Sequence, residues 1–373
     1  MIDAPGPWGT GPFRLAEGYS SLDVEQAMIT RDPFACTWLA SEDRTPLVRL
    51  VANTDYWDRR RGPRLEEVVF RNDVAPERAL ELVCDTEGEI DIVTEVAAAD
   101  AERVERSEHA RLVSIGGARV LVGVINRDAE GLPLGDRRAR QALNLAVDRE
   151  ALVREAMFGR ARPLAGLTPP TPLTLLHRLP DRLGPYPYDP ELAAGLWRAA
   201  GGVCGRALRV AAPEEFDRAA RKVVADLERA LGIHAELTIL SAEEAPEVQR
   251  RLIEKELPRE WDILLQMQGV QSADAPPLEL HRAFVGLTGE YRAGPVVPEF
   301  EDLYADLPRH TSQLGLVRAA NRIDRYVRRE ALALFLFAPQ ALYAVNRHVD
   351  FTPYRTTFEL AECEVGEGHW SRR

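Results

Sequence analysis

The histidines and cysteines are the first residues to consider as metal ligands or nucleophiles. None of the seven histidines stands in an HxH or HxxxH pattern, the spacing that brings two imidazoles to one metal ion. The four cysteines are widely separated and include no CxxC pair; they are Cys36, Cys84, Cys204 and Cys363. We therefore expect no metal site and no cofactor, and we expect thiols in partly buried positions rather than disulfides.

Catalytic motifs are the second feature to consider. The chain contains no GxSxG nucleophile elbow, no phosphate-binding GxxxxGK[ST] loop and no GxGxxG after a predicted strand. Carboxylates are plentiful, but no pair stands on an apolar background of the kind that shifts the pKa values of a general acid and base apart. We therefore expect no enzyme active site of these kinds.

Length and charge narrow the class further. A chain of 373 residues exceeds what one hydrophobic core usually serves, so two lobes are expected. The net charge of -12 argues against a nucleic-acid partner, because phosphate neutralisation needs an excess of Lys and Arg. The longest apolar run, near Ala331–Phe337, is too short to span a bilayer and is followed by Pro339.

Strand and helix patterns alternate in the first third of the chain. Apolar runs predict strands that begin near Phe13 or cover 47–52, 67–71, 88–93 and 120–125. The 120–125 run is apolar throughout, as expected for a strand buried on both faces. Helical spacing of apolar residues predicts helices over 76–84 and 97–106. This alternation is typical of an α/β lobe.

The alternation continues after one long predicted helix. That helix covers 136–149, with Asp136 as its N-cap. Residues 162–190 are rich in Pro and Gly and predict a loop that borders a cleft. Further helices are predicted over 190–200, 214–231 and 315–329, and further strands over 207–210, 235–240, 262–265, 333–337 and 342–345.

A series of short motifs runs through the chain in one order. The first are GTGPF at 9–13, NTDYW at 53–57, LEEVVFR at 65–71 and GEIDI at 88–92. The most specific block is VIN at 124–126 followed by RQALNLAVDREAL at 140–152. The last are YPYDP at 186–190, LGIHAEL at 231–237 and WDILL at 261–265. Each motif is short, but their common order makes coincidence remote.

These motifs resemble those of the bacterial extracellular solute-binding proteins of family 5, the peptide- and nickel-binding type that serves ABC transporters. The resemblance implies an α/β, periplasmic-binding-protein-like fold (type II, Venus-flytrap) with two lobes and mixed sheets. It also implies a solute-binding component of an ABC-type uptake system, which binds an oligopeptide or another small polar organic solute between two lobes. ABC permease subunits would be its partners.

The resemblance also implies a division of the chain. Residues 1–135 would form part of the first lobe, with an insertion at about 20–46 that lengthens a short hairpin of the family. Residues 136–330 would form the second α/β domain, and residues 331–373 would return strands to the first lobe. The insertion is expected to be a surface element, or else one that docks a partner or covers the sheet.

The position of the GTGPF strand differs from the family pattern. In the family a signal peptide, a first lobe segment and a small lid-like domain precede this strand, whereas here it begins at Gly9. We expect an incomplete first lobe, either truncated or completed by a second chain. The resemblance predicts a periplasmic or extracytoplasmic location. The segment Met1–Pro7 has no signal-peptide pattern, and this observation favours the alternative, a cytoplasmic location.

The ligand-binding residues are expected at two places. Asn126 ends the strand at 120–125, and we expect it either to contact the ligand or to cap the turn that follows. The loop after strand 262–265 carries Gln268, Gln271 and Asp274, which are expected to line the pocket.

The same loop limits the ligand. Peptide-binding members of the family place an aspartate there for the ligand's amino terminus, and Ala273 stands at the corresponding position if Gly269 is the aligned glycine. Asp274, the next residue, is the alternative anchor. The sequence therefore favours neither a free peptide amine nor a nickel complex as ligand.

Two further expectations concern Arg140 and the class of protein. Arg140 matches a motif arginine, and we expect it to form an ion pair that organises its lobe rather than to contact ligand.

The alternative function is a cytoplasmic, non-transport module on the same fold, either a ligand sensor or a subunit completed by a partner. No helix-turn-helix is visible, which disfavours a DNA-binding regulator.

Overall fold

The structure is a computed structural model, and it describes residues 9–18, 20–29, 36–170, 183–202, 205–269, 278–353 and 360–373, with the backbone alone for 20–29 and 36–44. The chain divides into two compact units, Met1–Ile115 with Ala341–Arg373, and Gly116–Gln340. The sequence places these boundaries instead at 135/136 and 330/331. The observed second unit is larger at both ends because the strands near residues 120 and 335 pair with each other inside it.

The strands alternate with helices along the chain. The strands are β1 (Phe13–Glu17), β2 (Ser20–Ile29), β3 (Cys36–Arg44), β4 (Leu47–Ala52), β5 (Glu67–Arg71), β6 (Ile92–Val93), β7 (Ala110–Gly116), β8 (Arg119–Ile125), β9 (Ala161–Pro163), β10 (Leu208–Pro213), β11 (Ala235–Leu240), β12 (Ile263–Gly269), β13 (Leu334–Asn346), β14 (Val349–Asp350) and β15 (Glu364–Val365). The helices are α1 (Pro76–Asp85), α2 (Ala101–Arg106), α3 (Arg137–Ala146), α4 (Arg149–Met157), α5 (Pro190–Ala199), α6 (Asp217–Leu231), α7 (Glu244–Ile253), α8 (Leu278–Val285), α9 (Pro298–Ala305) and α10 (Gln313–Arg329).

The second unit is built on a mixed sheet with the strand order β11-β10-β12-β8-β13. β10 pairs with β11 and β12 in parallel, whereas β8 runs antiparallel to β12 and β13. β9 extends the edge by pairing with β13 around Phe337. The central strand β8 is buried from Val120 to Ile125, which confirms the prediction of a strand covered on both faces.

Helices cover both faces of this sheet. Side chains alternate along β8, so that Val120, Val122 and Val124 belong to one core and Leu121 and Ile125 to the other. Helices α3 to α6 supply the core on the side of Leu121, and α7 to α10 supply the core on the side of Val122. The second unit is therefore a three-layer α/β/α domain.

The first unit contains smaller sheets. β1, β4 and β5 form an antiparallel sheet in the order β1-β4-β5, and β2 pairs with β3 in a separate antiparallel ladder. β6 and β7 pair with β13, β6 doing so at Ala344 and Val345. Two cores serve this unit, one around Val104 beneath α1 and α2, and one around Val345.

Two predicted elements have different bounds in the structure. The long helix expected over 136–149 is two helices, because Val147 is extended and the Asp148 side chain accepts from the Ala151 amide at 3.0 Å to begin α4. The strands expected on either side of Pro339 are one strand, β13. At Pro339, β13 pairs with Ala161 of the short strand β9.

Candidate ligand-binding site

The pairing of β8 with β12 decides where two of the predicted ligand residues lie. In this antiparallel ladder Ile125 faces Ile263, and Val120 faces Gln268. Asn126 therefore follows the end of β8 that lies beside the start of β12, whereas Gln268 lies near the other end. Asn126 lies beside Asp262, six positions before Gln268, so at about 3.3 Å per residue the two positions are separated by roughly 20 Å. The fold does not bring Asn126 and Gln268 together.

Asn126 is buried and is held by several hydrogen bonds. Its amide donates to the Asp262 carbonyl at 2.8 Å, and its Oδ1 accepts from the Asp128 amide at 3.3 Å. Oδ1 also accepts from Arg259 Nη1 at 3.2 Å. This arrangement closes the turn after β8 and supports the turn-capping alternative; contact with a ligand stays a prediction.

Gln268 lies on β12 and belongs to a short chain of side-chain hydrogen bonds. The Tyr291 hydroxyl donates to Gln268 Oε1 at 3.3 Å and accepts from Gln249 Nε2 at 2.9 Å. Burial, together with the charge of Glu290, raises the pKa of Tyr291 to about 12, so the phenol stays neutral at ordinary pH. Gln268 is therefore positioned by a neutral donor. Within the described ranges, no hydrogen-bond acceptor contacts its own amide nitrogen.

Gln271 and Asp274 lie within residues 270–277, outside the described residues. Ala273 lies in the same segment. The role of these three positions stays as the sequence predicts it.

Arg140 differs from the expected ion pair. Its guanidinium donates to backbone carbonyls at both ends of its lobe: Nη1 to Gly135 at 2.8 Å and Nη2 to Glu330 at 2.8 Å. Among the described residues no carboxylate oxygen lies within ion-pair distance of it. Arg140 therefore organises its lobe by donating to neutral carbonyls and not by an ion pair. These carbonyls accept in the plane of the guanidinium, where its N–H groups point.

A cluster of cations was missed by the sequence reasoning. Arg127, Lys255, Arg259 and Arg292 approach one another around the loop that follows α8. Arg127 donates its amide to the Ala293 carbonyl at 3.2 Å, and Lys255 Nζ donates to the Arg292 carbonyl at 3.1 Å. We call these four residues the basic cluster. They are far apart in sequence, and no local motif signals their proximity.

The described part of the chain contains no set of three or more His, Cys, Asp or Glu side chains arranged to hold a metal ion. His281 and Asp324 form a buried pair, with Nε2 and Oδ1 2.9 Å apart. Cys84 and Cys363 are buried. Within the same ranges, no helix has both the length and the apolar character that a bilayer crossing requires.

Comparison with known proteins places the chain in a family. The family model described as bacterial extracellular solute-binding proteins, family 5 Middle, matches residues 3–278. The chain therefore belongs to the bacterial extracellular solute-binding proteins of family 5, as the sequence motifs predict.

Curated relatives match over part of their length. The dipeptide-binding protein of Escherichia coli K12 is 25% identical over 195 residues, which are 52% of this chain and 30% of the relative. The glutathione-binding protein GsiB of Salmonella paratyphi A is 25% identical over 195 residues, again 52% of this chain and 31% of the relative. These alignments span less than a third of the relatives.

Solved structures match nearly the whole chain. The ABC transporter substrate-binding protein CtaP of Listeria monocytogenes superposes with a TM-score of 0.74 at 18% identity, covering 96% of this chain and 67% of that protein. A putative peptide-binding protein, AppA of Clostridium difficile, gives a TM-score of 0.71 at 16% identity, covering 96% and 68%. The fold is therefore the α/β type II fold of periplasmic binding proteins, which confirms the predicted fold class.

Proposed function

We propose that this chain is the solute-binding component of an ABC-type uptake system and that its ligand is an oligopeptide or another small polar organic solute. The observation that carries the proposal is the family match over residues 3–278. The structure supports it with a three-layer domain whose strand β12 ends at Gly269, immediately before the segment that carries Gln271 and Asp274.

The named relatives favour a peptide. Those similar over half of this chain are named for dipeptides and glutathione. If Gly269 is the aligned glycine, Ala273 stands at the position of the amine-anchoring aspartate, which favours a ligand whose recognition does not depend on a free amino terminus; Asp274 is the alternative anchor. Gln268 would then offer its amide nitrogen to a ligand carbonyl or carboxylate, with Asn126, Gln271 and Asp274 retained as predicted contacts.

The polar groups of the proposed site serve to bind a ligand by hydrogen bonds and need no catalytic role. The neutral Tyr291 phenol is a hydrogen-bond donor to Gln268, and none of the predicted ligand residues needs a shifted pKa to make its contact. We propose that the chain binds its ligand without transforming it.

A thermal-shift screen tests the proposal. The panel comprises di- and tripeptides, glutathione, their N-acetylated forms, sugars and a nickel–histidine complex. A ligand at about a hundred times its Kd adds about 2.7 kcal/mol of stability, which gives a clear rise in Tm. We expect a peptide to raise Tm and its N-acetylated form to raise it equally. A panel in which no peptide shifts Tm would contradict the proposal.

The extracytoplasmic location and the ABC permease partners follow the family and are part of the same proposal. Completion of the first lobe by a second chain stays a prediction. Size-exclusion chromatography with light scattering tests it, because a chain of 41.6 kDa that needs no partner elutes at that mass and binds its ligand unaided.

A further inference from the structure

A cavity lies in the second unit between α7 and the sheet. Its volume is about 80 Å³. It is lined by β10 and β11, by α7 and by the segment that leads into β12. That segment is at the opposite end of β12 from Gln268, so the cavity is separate from the predicted ligand contact there.

About half of the residues that line the cavity are apolar. The apolar lining residues are Val210, Ala211, Leu240, Val248, Leu252 and Trp261. A water needs about 10–15 Å³ on this measure, so the cavity has room for roughly six atoms of that size.

The charged residues of the lining are mostly paired. Arg251 Nε lies 3.2 Å from Glu256 and its Nη1 lies 3.8 Å from Glu260. Arg209 Nη2 lies 3.2 Å from the buried carboxylate of Asp262. These ion pairs offset the charges of Arg209 and Arg251.

Arg259 is the exception. Among the described residues, no carboxylate oxygen lies within 4 Å of its guanidinium, and its Nη1 donates to the neutral Oδ1 of Asn126 at 3.2 Å. Its Nε is buried and has no hydrogen-bond acceptor in the described part of the chain. A buried N–H group without an acceptor is unfavourable, so this donor is a position where an acceptor would be stabilised.

The rest of the basic cluster adds positive charge behind Arg259. Lys255 Nζ is held by three backbone carbonyls, those of Gly289 at 2.6 Å, Glu290 at 2.9 Å and Arg292 at 3.1 Å. The Arg292 guanidinium donates to the carbonyls of Gly294 and Leu287, and its Nε is also buried without an acceptor among the described residues. Arg127 Nη2 donates to the Pro295 carbonyl at 2.7 Å.

Asp128 acts on the charges of Arg127 and Arg259, and Glu290 acts on that of Lys255, so carboxylates offset only part of the positive charge of the cluster. Burial and the charges of Arg292 and Arg259 lower the pKa of Lys255 to about 7, which reflects the same local excess of positive charge. The whole chain carries a net charge of -12, so a positive potential here is a local property of the fold.

We propose that this cavity binds a short aliphatic carboxylate, whose oxygens accept hydrogen bonds from Arg259 and whose tail packs against Ala211, Leu240 and Leu252. A carboxylate matches the planar edge of a guanidinium, which carries the N–H donors. The apolar lining residues favour a ligand with a carbon tail over an inorganic anion. The site goes beyond the proposed uptake function, because it does not contain Gln268 and its ligand is not a peptide. Its anchor Arg259 adjoins Asn126, the other described residue predicted to contact the transported ligand, through their 3.2 Å hydrogen bond.

Calorimetric titration of the full chain with butyrate and, separately, with inorganic phosphate tests the proposal. We expect butyrate to bind and phosphate to bind far more weakly. Arg259→Gln should weaken butyrate binding roughly ten-fold or more, as expected for the loss of a charge-assisted hydrogen bond. Arg318→Gln, an exposed arginine on α10, is the control for the change in net charge and should bind butyrate like the unaltered protein.

A second variant acts through shape. Val248→Phe fills the cavity from α7 without changing any charge, and it should abolish butyrate binding while circular dichroism and Tm report an intact fold. In the unaltered protein, butyrate should also shift an arginine Nε–H resonance in ¹H–¹⁵N spectra. An unchanged affinity in both Arg259→Gln and Val248→Phe, a preference for phosphate, or no heat with butyrate would overturn the proposal.

Discussion

Asp262 and Arg206 form a two-pronged ion pair at the start of β12. Arg206 Nη1 lies 2.6 Å from Oδ2 and Nη2 lies 2.8 Å from Oδ1, and the Asp262 carboxylate is fully buried. The backbone amide of Arg209 donates to the same carboxylate at 2.8 Å. The pair therefore joins the chain before β10 to the chain before β12, at the edge where the two strands begin their parallel pairing.

Asp262→Asn should destabilise the second unit. The substitution keeps the shape of the side chain but leaves two arginines without their buried counter-charge, and a broken buried pair typically costs about 3–5 kcal/mol. Urea denaturation at neutral pH measures the loss. The matched control is Asp55→Asn, which breaks the exposed pair with Arg14 and should cost less than about 1 kcal/mol. Equal losses in the two variants would contradict the assigned role.

The same carboxylate should contribute to acid sensitivity. Burial alone raises the pKa of Asp262, but hydrogen bonds from Arg206 and Arg209 outweigh it and the pKa is lowered. Its contribution is therefore present above the unfolded pKa of about 3.9 and is lost as pH falls through the folded value. The difference in unfolding free energy between the unaltered protein and Asp262→Asn should shrink when denaturation is repeated at acidic pH.

Lys255 should make stability depend on pH in a higher range than Asp262 does. Its pKa is about 7 in the folded protein, against about 10.4 in an unfolded chain, so the unfolded chain binds more protons between these values. Stability should therefore rise with pH from about 7 to about 10. Lys255→Met removes this dependence, and the stability difference between the two proteins should grow in favour of the unaltered protein over that range. Parallel pH profiles would show that Lys255 titrates normally.

Arg149→Lys should be strongly destabilising despite the retained charge. The Arg149 guanidinium is buried and donates to the Phe335 carbonyl at 2.6 Å, the Asn144 carbonyl at 2.8 Å and Asn144 Oδ1 at 2.9 Å. The single ammonium of a lysine cannot occupy the three separate positions from which Nε, Nη1 and Nη2 donate, and each buried acceptor left without a donor costs about 1–3 kcal/mol. We expect a loss of about 2–4 kcal/mol in urea denaturation. Arg154→Lys, on the exposed side of α4, should change stability by no more than about 0.5 kcal/mol.

Asn126→Ala and Gln268→Ala should have different effects. Asn126 closes a buried turn, so its loss should lower Tm. Gln268 holds one hydrogen bond from Tyr291, so its loss should leave Tm nearly unchanged and reduce the Tm rise produced by the peptide found in the thermal-shift screen. A Gln268→Ala protein that responds to that peptide like the unaltered protein would remove Gln268 from the binding site.

Much of the fold follows from local patterns. The bounds predicted for β4, β5 and β11 agree with the structure, because apolar alternation and the flanking turns are properties of adjacent residues. Asp136 is the N-cap of α3, as its residue type and position indicate. Three helices, α7, α8 and α9, were not predicted. The first of them buries only Leu252 and Ile253.

The sequence by itself determined the family, the α/β class and most of the strands and helices, since ordered motifs and hydrophobic periodicity can both be read from residues that are close in sequence. Only the tertiary structure decided that Asn126 and Gln268 lie at opposite ends of one antiparallel pair, and that Arg127, Lys255, Arg259 and Arg292 meet around one loop. Strand direction, register and long-range packing depend on contacts between residues far apart in sequence. Such contacts form only when the whole core assembles, and no local pattern encodes them.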